Sequence, residues 1–502
     1  MMKRMEVFKE VDRSTIPDTK VIKSGWVYKT KRDNQGVVIK RKARFFAKGY
    51  SQKPGSYGPT DAATANIASF KSLIQIAVNK DWKISVWDVE GAYLQVNRDI
   101  PVYVEAPEGF ERTGDDGKPM ILEVVKAQYG LMDSGHLWAN MRDDVFKKIG
   151  LQSLSSDQCV YRANNGGLVA AHVDDFLIVG PEDWKHQLLT DMNKFFPVKD
   201  TTNKRTILGM EFLQLEDSRS CKLTQKNYIT ELATKHDLLN AKPVLLPITP
   251  GWSSKDSPLL TAEDIKDYQI IVGEIGYAIN THPECAYVYS LLTRDMSIPT
   301  KQHYCLAETV LKYLLTNCEK GIYYSKNDWE PAMFSDSAFG DDIKTGRSTS
   351  GYIIKLVKDS GAIACAANLQ KSVSLSTCEA EIRALSVAGK NGLWLMKLFK
   401  EMLPEIKFDP LKIFGDNQSA IALSSNLNGV TYRTRHLSRL DLFIRELITD
   451  KIVTIHYLPS EHMPADILTK ALPKQVFDEH SANIRGSSRI LKSKVFGGEA
   501  NG

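Results

Sequence analysis

The segment GLVAAHVDDFLIVG (167–180) places two apolar runs on either side of adjacent carboxylates, Asp174 and Asp175. Short apolar runs bounded by glycine read as strands, so the segment is expected to fold as a hairpin with both acids at its tip. A second strand-like run, KISVWDV (83–89), carries Asp88 at its end, next to Val89. If the two segments are neighbours in one sheet, the carboxylates converge, which is what two divalent cations about 3.5–4 Å apart require for phosphoryl transfer. On turn chemistry alone Asp-Asp is also an ordinary turn dipeptide. The spacing does not decide between these readings.

The charge distribution points to a polyanion. Between residues 21 and 53, Lys23, Lys29, Lys31, Arg32, Lys40, Arg41, Lys42, Arg44, Lys48 and Lys53 face Asp33 alone, although the whole chain carries only +5. These cations lie on two strand-like runs separated by Asp33-Asn34-Gln35-Gly36, a basic hairpin with a strong local positive field. The seven cysteines are scattered and lack metal-ligand spacing, which fits a reducing compartment. The N-terminus has no apolar core of the secretory kind, and no run of about 18 apolar residues occurs, so an unexported chain without a membrane span is expected.

The 502 residues allow about three domains. Residues 66–80 and 137–150 read as helices, and helical patterns predominate from 181 to 330, with a linker-like break at 242–258. From 332 on, strands are followed by helix, strand, helix and strand, an α/β order. Asp336, Glu381, Asp416 and Asp466 lie near the ends of strands or starts of helices there. Four such acids are able to hold two metals for phosphodiester hydrolysis; equally, they are ordinary surface carboxylates. The tail after about 475 is polar and rich in Gly and Ser, and is expected to be loose.

These motifs resemble, in order, the reverse transcriptase and RNase H portion of copia-type LTR retrotransposon polyproteins. The resemblance rests on KARFFAKGYSQ (42–52), VWDVEGAYLQ (86–95), IPVYVEAPEGF, YGLMDSGHLW, AAHVDDFLIVG, ILGMEF and KLTQKNYI, and on VGEIGYAINTHPECAYVYSLL. It continues through MFSDSAFGDD, GRSTSGYII, STCEAEIRAL, IFGDNQSAIAL, TRHLSRLDLFIRE (434–446) and HYLPSEHMPADILTKAL. It implies a multidomain α+β and α/β chain: right-hand polymerase fingers and palm over 1–240, a helical thumb or connection over 241–330, an RNase H-like domain over 331–475, and a flexible tail over 476–502. It also implies RNA-directed DNA polymerase and ribonuclease H activities by two-metal chemistry with Mg²⁺, or Mn²⁺ as the alternative. The partners would be RNA template, DNA primer, RNA–DNA hybrid and dNTPs, with no membrane. The location would be cytoplasmic, in a virus-like particle, with a nuclear stage, and not secreted. Nothing in the resemblance specifies the oligomeric state.

Carried onto this chain, Asp88, Asp174 and Asp175 correspond to the polymerase metal ligands. Asp336, Glu381, Asp416 and Asp466 correspond to the nuclease quartet, with Glu381 preferred to Glu379. Lys42, Arg44 and Lys48 would bind triphosphate or template phosphates, and Tyr93 would exclude a 2′-hydroxyl, unless it is simply a core aromatic. Leu208 and Gly209 resemble a primer-grip turn or form a plain hairpin turn. His462 is either an aid to product release or a solvated loop residue.

The chain departs from the family pattern at Met132 and Asp133, where Lys and Gln are usual, at Lys71 for Arg and at Cys365 for Trp. Asp133 would bring a negative charge near template and nucleotide. That leaves a second reading, a catalytically impaired remnant that binds nucleic acid without synthesis. Asp133-Ser134-Gly135 and Asp359-Ser360-Gly361 also fit the aspartic protease tripeptide, a rival with only three residues behind each half.

Overall fold

The computed structural model describes residues 2, 4–17, 20–32, 38–114, 117–215, 217–357, 359–425 and 439–486. The expected turn at Asp33 to Gly36, residues 434–438 of the TRHLSRLDLFIRE motif, and the part of the expected tail from 487 onward lie outside the described residues.

The basic run forms the expected two-stranded ribbon, Ser24–Arg32 against Val38–Ala47, with Lys29 opposite Lys42 and Val27 opposite Arg44. Beside it stands a four-stranded sheet ordered Phe8–Val11, Ile121–Lys126, Asn97–Glu105, Val21–Ile22.

The acidic hairpin lies in a six-stranded sheet ordered Val198–Asp200, Ile84–Val89, Asp175–Val179, Leu168–His172, Val160–Ala163, Leu151–Ser153. Both faces of this sheet are covered. Val86, Ala170, Leu177 and Val179 join Phe70, Leu73, Ile74 and Ala77 of helix Ile67–Asn79 in one apolar cluster. Trp87, Val169, Phe176 and Ile178 join Trp138, Val145 and Phe146 of helix Ser134–Lys148 in another. Burial on both faces explains why these strands read as continuous apolar runs rather than alternating ones. Each buried Val, Leu, Ile or Phe side chain among them contributes about 1.5–3 kcal/mol.

Residues 181–330 are less uniformly helical than expected. Thr206–Ile207, Met210–Gln214 and Ser220–Thr224 form antiparallel strands, and Ile322–Ser325 closes on the last of them. Strands of two to five residues are too short to impose a readable period. This sheet joins residues on both sides of position 240. Helices Ala262–Ala278, Ala286–Arg294 and Lys301–Thr316 pack around a separate cluster that includes Tyr268, Ile275, Leu306 and Leu314.

The last third is a five-stranded mixed sheet ordered Ala364–Leu369, Arg347–Val357, Trp329–Asp342, Leu411–Gly415, Val453–Tyr457. The first three strands are antiparallel and the last two run parallel to the central one. Helix Thr377–Met402 crosses the sheet, burying Ile382, Leu385, Leu395 and Phe399. This is an α/β arrangement, following a mixed α+β half, as the sequence led one to expect.

The expected loose tail is corrected at its start. Lys474–Arg485 is a helix that buries Phe477, His480, Ser481 and Ile484 on one side. Arg485 pairs with buried Glu284 at 2.9 Å. The Gly and Ser residues from 486 on dominate the composition of the segment and hide this apolar face.

Candidate active sites

The first site is built by strand register. Asp175 pairs directly with Asp88 across Ile84–Val89 and Asp175–Val179, and with His172 on its other side. Val173 and Asp174 are therefore the two-residue turn of the hairpin. Val173 has φ +55°, a left-handed conformation that costs a β-branched residue about 1–3 kcal/mol. Two hydrogen bonds hold it: the Trp138 indole N–H donates to the Val173 carbonyl at 2.7 Å, and the Val89 N–H to the Asp174 carbonyl at 3.0 Å. The turn thus carries Asp174 beside Asp88 and Asp175.

Like charges crowd here. Burial, then Asp174 and Asp88, push Asp175 up to about 6, against the partial relief of Lys204. Burial and Asp174 also raise Asp88, opposed by Lys204, Lys42 and Lys199. Carboxylates that resist joint ionisation, and that offer only hard oxygen donors, suit a divalent cation.

Of the carried residues, Arg44 and Tyr93 reach this centre. The Arg44 guanidinium lies 5.0 Å from the ring centre of Tyr129, whose ring meets Tyr93 edge-on at 5.1 Å. Burial, then Asp174, raise both tyrosines, with Arg44 opposing. Lys42 acts electrostatically on Asp88. Lys48 sits at the base of the ribbon, its backbone N–H donating to the Lys23 carbonyl at 2.8 Å and its side chain lying near Gly25. Sequence reasoning missed Tyr129 and Lys204; Tyr129 opens the quoted YGLMDSGHLW motif, whereas nothing marks Lys204. Leu208 and Gly209 both have positive φ, +50° and +68°, as a two-residue hairpin turn requires. The Tyr277 hydroxyl donates to the Leu208 carbonyl and would stand 2.7 Å from a Cβ at position 209.

Asp133 does not expose its charge. Its two oxygens accept from Arg98 at 2.5 and 3.0 Å, and the Gly58 N–H donates to it at 3.1 Å. Both side chains are at most 4% exposed. Burial alone would raise Asp133, but the Arg98 and Gly58 hydrogen bonds outweigh it and hold the group below its ordinary value. Of the protease-like pair, Asp133 is occupied by Arg98, and Asp359 sits in a turn with φ +57°. Lys71 and Cys365, two further departures, are coupled to each other electrostatically.

The second site lies in the mixed sheet. Asp336 is on its central strand, Asp416 just past Leu411–Gly415, and Asp466 in the helical turn Pro464–Leu468. Oxygens of these three lie within 4.8 Å of one another, the one such acidic group among the described residues. Glu381 joins them: burial, then Asp336 and Asp416, push it up to about 10. Glu379 instead serves the start of helix Thr377–Met402. Its N–H donates to Ser376 at 3.2 Å, its carboxylate accepts from the Leu375 N–H at 2.8 Å, and Arg383 pairs with it at 2.6 Å.

Burial, then Asp336, raise Asp466 to about 7, and Lys470 only partly offsets them. The Asp466 Oδ1 atom is buried without a hydrogen-bond partner. An orphaned oxygen among converging carboxylates is a donor set that fits a divalent cation. The Ser460 hydroxyl donates to Asp416 at 2.6 Å and the Thr469 hydroxyl to Asp336. His462 is 61% exposed and lies 3.6 Å from Glu461. Lys470, another residue the sequence reading did not single out, contacts Asp466 at 2.9 Å.

Among the described residues no helix is long and apolar enough to cross a membrane. Residues 5–250 match the family described as reverse transcriptase (RNA-dependent DNA polymerase). The retrovirus-related Pol polyprotein from transposon TNT 1-94 of Nicotiana tabacum is 30% identical over 470 residues, covering 91% of this chain and 35% of that protein. The corresponding polyprotein from transposon RE1 of Arabidopsis thaliana is 28% identical, covering 93% and 32%. The transposon Ty1-H Gag-Pol polyprotein of Saccharomyces cerevisiae is 24% identical, covering 95% and 27%. The chain thus spans about a third of the length of these curated relatives. With a reverse transcriptase match over residues 5–250 and relatives aligned along most of its length, the chain matches the reverse transcriptase portion of copia-type Pol polyproteins.

Proposed function

We propose that this chain copies RNA and DNA templates into DNA and hydrolyses the RNA strand of an RNA–DNA hybrid, at two separate acidic sites. The observation that carries the reading is the gathering of seven carboxylates at two places: Asp88, Asp174 and Asp175 by strand register, and Asp336, Asp416, Asp466 and Glu381 around the mixed sheet. In this reading, residues 1–240 are fingers and palm, 241–330 thumb or connection, and 331–475 the nuclease.

At the first site a primer 3′-hydroxyl attacks the α-phosphate of a dNTP and pyrophosphate leaves. Bound Mg²⁺, or Mn²⁺, would activate the attacking oxygen and neutralise charge on the leaving group. Asp88, Asp174 and Asp175 hold that centre. Arg44 and Lys42, on the ribbon above it, attract the triphosphate, and Tyr93 packs under the sugar, where its ring excludes a 2′-hydroxyl. At the second site the quartet supports hydrolysis of a phosphodiester in the RNA strand. Binding is read from backbone and shape rather than sequence, and is therefore salt-sensitive.

A remnant that only binds nucleic acid loses its main structural support, because Asp133 is neutralised by Arg98. Cleavage of a labelled RNA–DNA hybrid with Mg²⁺, by the chain and by its Asp416→Asn variant, tests the nuclease half. Cleavage lost in the variant supports it; cleavage absent from the folded parent chain refutes it.

A further inference from the structure

The acidic quartet contains a cation of its own. Lys470 follows Asp466 by one helical turn, and its Nζ lies 2.9 Å from Asp466 Oδ2 and 3.9 Å from Asp336 Oδ2. The Asp336 and Asp466 side chains are only 3% and 10% exposed, whereas Lys470 is 45% exposed. Its ammonium therefore enters a buried acidic pocket from solvent on a flexible stem. The backbone fixes that entry: the Thr469 and Lys470 N–H groups both donate to the Asp466 carbonyl at 3.1 Å. Thr469 then turns its hydroxyl onto Asp336. Neighbouring side chains thus address two of the three closest acids. Asp466 Oδ1, buried and without a partner, stays open on the other side of the same carboxylate.

Resting on the reading of the quartet as a metal site, we infer that Lys470 is the site's internal counter-cation, which a divalent ion must displace from Asp466 and Asp336 on binding. A lysine suits such a place. It is a compact point charge with freely rotating donors, held by no planar fork, and it leaves the carboxylates intact when it swings out. Its presence stabilises four crowded acids before metal arrives, and it weakens the first metal by competition.

The test uses the full chain carrying Asp174→Asn and Asp175→Asn, so that the first site contributes no metal binding. Mn²⁺ affinity is measured by calorimetry without nucleic acid, for Lys470 and for Lys470→Met, Lys470→Gln and Lys470→Arg. The Met and Gln variants are expected to bind Mn²⁺ roughly 5-fold more tightly, and the Arg variant, which keeps the charge, within roughly 2-fold of the parent. A readout free of substitution at 470 accompanies it: acylation of the Lys470 amine, followed by mass spectrometry, is expected to speed up when Mn²⁺ is added. Unchanged or weaker binding in Lys470→Met and Lys470→Gln, or acylation indifferent to Mn²⁺, overturns the inference. If the parent binds no Mn²⁺ that Asp416→Asn removes, the reading of the quartet as a metal site fails instead.

Discussion

Asp88 and Asp175 are direct partners across adjacent antiparallel strands, although 87 positions separate them in sequence. Side chains of directly opposed residues project to the same face, about 5 Å apart at Cβ. Two acids at that distance are costly unless something positive lies between them. The left-handed turn at Val173 then adds Asp174.

Separate sites make separable activities. Asp175→Asn is expected to cut dNTP incorporation on the order of 100-fold or more while leaving hybrid cleavage within about 2-fold, and Asp416→Asn to do the reverse. Primer extension and hybrid cleavage on the same preparations check this. Loss of both activities in either folded variant contradicts two independent centres.

The crowded acids also fix a pH dependence of stability. Asp175 at about 6 and Asp466 at about 7 lie above the ordinary aspartate value of about 3.9 expected in the unfolded chain. The folded state therefore binds these protons more tightly, and their contribution, full below about pH 4, is lost as pH rises through 6 and 7. Glu381, at about 10, stays protonated across that window. The metal-free chain is expected to melt at lower temperature at pH 8 than at pH 5.5, with Mg²⁺ restoring more at pH 8. Scanning calorimetry of the chain and of Asp466→Asn checks it, the variant showing the flatter profile.

The Arg98–Asp133 pair reverses an intuitive repair. Restoring the family's usual residues, Met132→Lys with Asp133→Gln, would strand a guanidinium whose side chain is 1% exposed. A loss of about 3–5 kcal/mol is expected, read by urea unfolding, rather than a gain in synthesis. Adding Arg98→Met is expected to recover part of it.

The strained turn gives a test of a different kind. Trp138→Phe removes the indole donor to the Val173 carbonyl and is expected to cost about 1–3 kcal/mol and to slow incorporation. Val173→Asn, which tolerates the left-handed region, is expected to stabilise the chain by about 1 kcal/mol. Denaturant melts with primer extension on both variants separate turn strain from turn placement.

What was legible in the sequence follows from burial. The hairpin at 168–179, helix Ile67–Asn79 and helix Thr377–Met402 carry long apolar signals because both faces of a sheet, or a broad helix face, are covered. Asp174 and Asp175 were found between the apolar runs of that hairpin, and Glu381 near the start of helix Thr377–Met402. The Arg98–Asp133 pair was not, since an ion pair 35 residues apart leaves no periodic trace. Neither were Lys204 and Lys470, which look like surface lysines until the fold puts acids beside them. The short strands at 206–224 and the helix Lys474–Arg485 were lost to brevity and to polar neighbours.

The most direct test of the central claim is Mg²⁺-dependent dNTP incorporation by the purified chain on an oligo(dT)-primed poly(rA) template, beside the Asp174→Asn/Asp175→Asn protein. Incorporation by the chain and none by the double variant is the expected result. No incorporation from folded chain that still binds the primed template would contradict the account and leave a nucleic-acid-binding remnant.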